Sequence, residues 1–160
     1  MTDERSQRIE RENAILNAGY VRRWHTSRTF NQNIAEHSWR MAALAIVRYP
    51  NISVELLKAI ILHDIGEYRF ADIPSPIKRE HPELRKLEEE IQLDFYKELG
   101  ITPPKLTVVE EKILKMLDMY EAFCFVQQYD PEAEARRISK RLEYYMKELS
   151  AQMPEMEGVE

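Results

Sequence analysis

Apolar residues recur at i, i+3 and i+4 along most of the chain, while the strict alternation of a half-buried strand is nearly absent. The pattern predicts an all-α fold, a single helical bundle of about six helices. The first runs from about Asp3 to Ala18 on a sparse stripe of Ile9, Ile15 and Leu16, with Gly19 placed to end it. A polar stretch, Tyr20 to Asn33, follows. The second helix, about Ile34 to Tyr49, carries Met41, Leu44, Ala45 and Val47 and stops at Pro50. Ser53 has the character of an N-cap for a third helix, Val54 to about Ile65, which is apolar on nearly all sides and therefore central. A loop from Gly66 to Pro82 holds Pro74-Ser75-Pro76. An amphipathic fourth helix spans Glu83 to Leu99 and ends at Gly100. Pro103-Pro104 precede the fifth, Thr107 to about Tyr129, and Asp130-Pro131 read as the N-cap and first residue of a sixth that ends near Ser150.

Composition narrows the class. A chain of 160 residues with 44% apolar side chains is long enough for one well-buried domain, here expected over 1–150, with an aperiodic and disordered tail over 151–160. Lys and Arg number 23 against 28 Asp and Glu, a net charge of −5, the wrong bias for tracking a nucleic-acid backbone. The single cysteine, Cys124, allows no internal disulfide. The start, MTDERSQRIERE, is too charged for a signal peptide, and no apolar run approaches the roughly 20 residues of a membrane span. A cytoplasmic protein with neither a membrane nor a nucleic-acid partner is expected. None of the four glycines builds a phosphate-cradling loop.

The informative residues are polar ones in apolar surroundings. His63 and Asp64 interrupt the most hydrophobic helix, and an ionised carboxylate there needs a positive partner. Glu67 follows His63 by four positions and Asp64 by three, so all three can share one helical face. His37 opens the second helix, and Asp118 lies beside Leu114, Ala122 and Phe125 at the apolar boundary of the fifth. Two imidazoles and two carboxylates suit a divalent cation, whether Co, Mn, Mg, Zn, Ni or Fe; the spacing does not choose among them. The competing reading is a set of core residues satisfied by backbone or by an arginine.

His37, His63-Asp64 and Asp118 resemble the H…HD…D signature of the HD-domain phosphohydrolases, all-helical metal enzymes that cleave phosphate esters. The resemblance continues through Arg23-Trp24, Asn33-Ile34-Ala35-Glu36-His37-Ser38, His63-Asp64-Ile65-Gly66-Glu67 and Asp72-Ile73-Pro74-Ser75-Pro76-Ile77-Lys78, ordered as in the 5′-deoxynucleotidase branch, which includes compact phage dATP triphosphohydrolases. It covers roughly residues 20–125. Ala71 stands where that branch often has glycine.

The resemblance implies that His37, His63, Asp64 and Asp118 hold the metal and that Glu67 acts as acid or base on the attacking water. It implies that Arg23 and Lys78 meet phosphate, that Trp24 lies against sugar and base where it excludes a 2′-hydroxyl, that Asp72 lies near the sugar, and that Thr26 and Pro76 line the pocket. A homo-oligomer is implied too. The activity expected is hydrolysis of a small deoxynucleotide, foremost dATP to deoxyadenosine and triphosphate. The alternatives are a 5′-deoxynucleotidase acting on dNMPs and a non-catalytic nucleotide-binding helical module. Trp39, Met41, Met116, Met119 and Phe123 read as core or subunit contacts, and Glu88-Glu89-Glu90 as a solvated face. His25 and His81 show no suitable partner in the sequence.

Overall fold

The computed structural model describes residues 2–130 and 132–153. Among them the elements run α1 (Thr2–Ala18), β1 (Arg22–Arg23), β2 (Gln32–Asn33), α2 (Ile34–Arg48), α3 (Val54–Leu62), α4 (Glu67–Phe70), α5 (Ser75–Glu80), α6 (Glu83–Leu99), α7 (Val108–Gln127) and α8 (Ala133–Ser150). The all-α expectation holds: the two strands form only a two-residue antiparallel ribbon that pairs Arg22 with Asn33 and Arg23 with Gln32. The six long helices are those read from the periodicity. The additional short helices, α4 and α5, occupy the stretch expected to be loop. No helix among the described residues is long and apolar enough to cross a membrane.

The chain divides into two compact units that interleave along the sequence. The first comprises the residues up to Glu36 together with Leu62–Pro103. In it α6 packs against α1, α4 and α5. Its core is Ala18, Ile65, Phe95, Tyr96 and Leu99, joined by Ala14, Leu62 and Ile101. Burying a side chain of the size of Leu or Phe contributes roughly 1.5–3 kcal/mol. The phenol of Tyr96 donates to the Leu62 carbonyl at 3.1 Å, which satisfies a polar group inside this core. Gly100 ends α6 in the left-handed conformation at φ 70°, with its N–H bonded back to the last turn. Gly19 takes no such conformation. Its role is proximity, because a Cβ there would meet the Cβ of Ala35 at 3.0 Å.

The second unit comprises His37–Ile61 and the residues from Pro104 onward. Met41, Ala42, Ala45, Leu56, Ile60, Ile113 and Leu117 form its core. Ser53 caps α3 as expected, accepting from the Leu56 N–H at 3.0 Å. Thr107 and Glu110 form a capping box on α7. The N-cap of α8 is Glu132 and not Asp130, whose carboxylate instead accepts from Arg136 Nε at 3.1 Å; Pro131 lies outside the described residues. The start of the expected tail is attached: Met153 packs against the second unit's core and the Gln152 carbonyl accepts from Lys112 at 2.9 Å. Residues 154–160 lie outside the described part.

Candidate functional site

In the second unit, residues three apart on two helices face each other. His37 and Arg40 come from α2, and Asp118 and Glu121 from α7. The His37 ring is fully buried. Its Nε2 lies 3.1 Å from Asp118 Oδ1, and its Nδ1 lies 2.5 Å from Glu121 Oε2. Glu121 is also fully buried, and its other oxygen meets Arg40 Nε at 2.6 Å, so a desolvated carboxylate is offset on both sides. A neutral imidazole has one N–H to share between two carboxylates. The arrangement is satisfied either by an imidazolium donating to both or by a neutral ring with a cation on the Asp118 side.

In the first unit, His63-Asp64-Ile65, expected to close the third helix, instead form with Gly66 a turn between α3 and α4. The N–H groups of Ile65, Glu67, Tyr68 and Arg69 each bond to the carbonyl three residues back, at 2.9–3.2 Å. Three residues per turn bring positions i and i+3 onto one side, so Glu67 shares a face with Asp64 through this tighter winding. Gly66 lets α6 pass close to this turn: a Cβ there would come within 2.9 Å of the Cβ of Gln92 on α6. His63 Nε2 lies 3.2 Å from Asp64 Oδ2, again an imidazole nitrogen against a carboxylate oxygen.

Glu67 is buried. Burial first, then the charges of Asp64 and Asp72, push its carboxyl up to about 9, against the opposing influence of Arg23 and Lys78. Residues from three of the motif blocks therefore act electrostatically on one carboxyl. The consequence for the metal-free protein is a pH-dependent stability. The folded state holds this proton more tightly than the unfolded chain, whose glutamate titrates near 4.5. The stabilisation is complete below that value and is lost as pH rises through about 9. Urea unfolding in chelator should show stability declining across this window, with the decline reduced in Glu67→Gln; an unchanged profile in the variant would contradict it.

The polar stretch after α1 folds as a loop tied off by the β1–β2 ribbon. At its start Trp24 takes a left-handed backbone, φ 57°. Such a conformation costs a non-glycine residue about 1–3 kcal/mol and persists only where the surroundings impose it. Here they do. The Trp24 N–H donates to Asp72 Oδ2 at 3.1 Å, its indole N–H donates to Gln32 Oε1 at 3.1 Å, and its ring meets Phe30 edge-on with centroids 5.7 Å apart. Asp72 thus anchors the loop backbone. Thr26 and Pro76 are exposed, and Lys78 forms an ion pair with Glu88 at 2.8 Å. Glu88 is accordingly a half-buried partner and not part of a solvated face. His81, expected to be alone, lies 3.1 Å from Glu83 Oε1. Trp39 is exposed, whereas Met41 is fully buried.

Sequence reasoning missed Glu121, Arg40 and Gln32. The available signal for Glu121 was its place one turn after Asp118 and beside Ala122, on a buried side of α7.

An HD-domain family model matches residues 20–158. The chain belongs to the HD-domain family. A curated relative, the dATP triphosphohydrolase of cyanophage S-2L, is 30% identical over 139 residues, covering 82% of this chain and 78% of the relative. The solved structure of the cyanophage S-2L HD phosphohydrolase DatZ, bound to dA and one catalytic Zn2+ ion, matches with a TM-score of 0.70 at 25% identity, covering 85% of this chain and 82% of that one.

Proposed function

We propose that this enzyme is a metal-dependent deoxynucleotide phosphohydrolase that converts dATP and water to deoxyadenosine and triphosphate. The reading is carried by the similarity to the cyanophage dATP triphosphohydrolase, with the conjunction of Arg23, Asp64, Asp72 and Lys78 around the Glu67 carboxyl in support. The family resemblance makes His37, His63, Asp64 and Asp118 the proposed ligands of one divalent cation; His37, His63 and Asp118 each offer a donor atom of a suitable kind. The two imidazole–carboxylate pairs fit a cation of mixed nitrogen and oxygen ligation, and zinc is the ion in the related solved structure. When bound, such an ion polarises a phosphoryl oxygen and lowers the pKa of water.

The chain's own residues do the rest. Glu67 exchanges a proton with the attacking water as the water oxygen bonds to the α-phosphorus and the bond from phosphorus to the 5′-oxygen breaks. The 5′-oxygen takes up a proton and leaves as the nucleoside hydroxyl. Arg23 and Lys78 balance phosphate charge. Trp24, held in place by Asp72 and Gln32, sits against the deoxyribose where a 2′-hydroxyl would collide. The protein is read as a cytoplasmic homo-oligomer acting on free nucleotides, with exposed Trp39, Ile46 and Val47 available to a second copy. Neither nucleic acid nor a membrane is a proposed partner.

The engagement of Lys78 by Glu88 favours a second reading with a smaller phosphate load, a 5′-deoxynucleotidase. Chromatography of products from dNTP and dNMP panels separates the two. Intact triphosphate with deoxyadenosine is the expected result from dATP. Turnover confined to monophosphates would replace the triphosphate reading, and absence of turnover with Mn, Co, Mg and Zn would indicate a binding module.

A further inference from the structure

We propose that Glu121 is a positioning residue for the metal ligand His37, holding its ring as the Nδ1–H tautomer so that the Nε2 lone pair is presented on the Asp118 side, and that Arg40 holds Glu121 in turn. The inference rests on the reading of His37 as a metal ligand, but its own argument is geometric. Glu121 Oε2 and Asp118 Oδ1 lie against opposite nitrogens of one buried ring, at 2.5 and 3.1 Å. A carboxylate accepts and does not donate, so the shorter contact requires a proton on Nδ1. In the neutral ring that leaves the lone pair on Nε2, which lies 3.1 Å from Oδ1 of Asp118, a proposed ligand of the same ion.

Glu121 has no direct route to that role through its other oxygen, which Arg40 Nε occupies at 2.6 Å. Arg40 is further placed by its guanidinium lying 5.9 Å from the centroid of the Phe125 ring. Helical spacing makes the relay rigid: Arg40 is one turn after His37 on α2, and Glu121 one turn after Asp118 on α7. Two adjacent rungs therefore join the helices, one ending at the proposed ion and one supporting it. Carboxylates behind metal-bound histidines fix the tautomer and raise ligand basicity, and losing one typically costs about 10–100-fold in metal affinity.

The test measures the His37 tautomer in the wild-type protein by ¹⁵N NMR of the imidazole, alongside zinc affinity by chelator competition for the wild type, Glu121→Gln and Glu121→Ala. The expected wild-type ring carries its proton on Nδ1. Glu121→Ala should lose that preference and bind zinc roughly 10–100-fold more weakly. Glu121→Gln keeps an acceptor, so it should retain the tautomer and recover part of the affinity; it also supplies the comparison should the alanine variant fail to fold. A neutral wild-type ring protonated on Nε2 overturns the inference without any variant. Zinc affinity unchanged in folded Glu121→Ala overturns it as well. Failure of the wild type to bind zinc would instead refute the metal reading beneath it.

Discussion

Asp118→Asn should abolish hydrolysis, lowering kcat/KM by on the order of 10³-fold, and should strip the bound metal from the purified protein. The amide keeps the size of the side chain but removes the charge that a cation on the Nε2 side of His37 requires. Polarisation of the phosphoryl group by a bound ion is worth several kcal/mol, and each 1.36 kcal/mol is tenfold in rate. The fold should survive. Asp118 is 40% exposed at its side chain, so the substitution leaves no buried charge stranded. Metal analysis, circular dichroism and a steady-state assay together check this. A variant that retains both stoichiometric metal and activity would remove Asp118 from the ligand set.

Glu67→Gln should behave differently. Metal and substrate binding should persist while kcat falls about 10²–10⁴-fold, the usual contribution of a positioned proton-transfer group. The reason lies in its surroundings. Glu67 is buried in the first unit, and that burial first, then the negative charges of Asp64 and Asp72, hold its carboxyl up to about 9 in the metal-free protein. A cation held by Asp64 would offset one of those two charges, which would bring the carboxyl down toward the range where Glu67 can take a proton from water. A pH–rate profile of the wild type with metal, compared with the Gln variant, reads this directly. The wild-type limb assigned to Glu67 should be missing in the variant. Unchanged turnover in Glu67→Gln would end the acid–base role.

Local features of the chain were legible because their causes are local. The periodicity placed the long helices, α6 to the residue, and Ser53 and Gly100 marked their boundaries through capping chemistry. The association of His37 with Asp118 was also anticipated, and the two side chains do meet. What escaped depends on contacts between distant segments. Glu121 reads as an ordinary helical glutamate until α2 brings His37 and Arg40 to its two oxygens. The turn at His63–Gly66 breaks a helix that the apolar pattern alone would continue, because a short connection satisfies the same burial. Gly19 was read as a helix terminator, yet its need is for space beside Ala35, and crowding between segments leaves no trace in local propensity. The Lys78–Glu88 pair was hidden for the same reason, since a glutamate run ordinarily faces solvent.

The proposed hydrolysis requires one divalent cation with His37, His63, Asp64 and Asp118 as its ligands. Crystals grown with zinc and measured on either side of its absorption edge test it most directly. One strong anomalous peak per chain is expected, within bonding distance of His37 Nε2, of a nitrogen of His63, and of a carboxylate oxygen from each of Asp64 and Asp118. A zinc ion bound elsewhere, or one that engages His63 and Asp64 while His37 and Asp118 stay paired with each other, would contradict it.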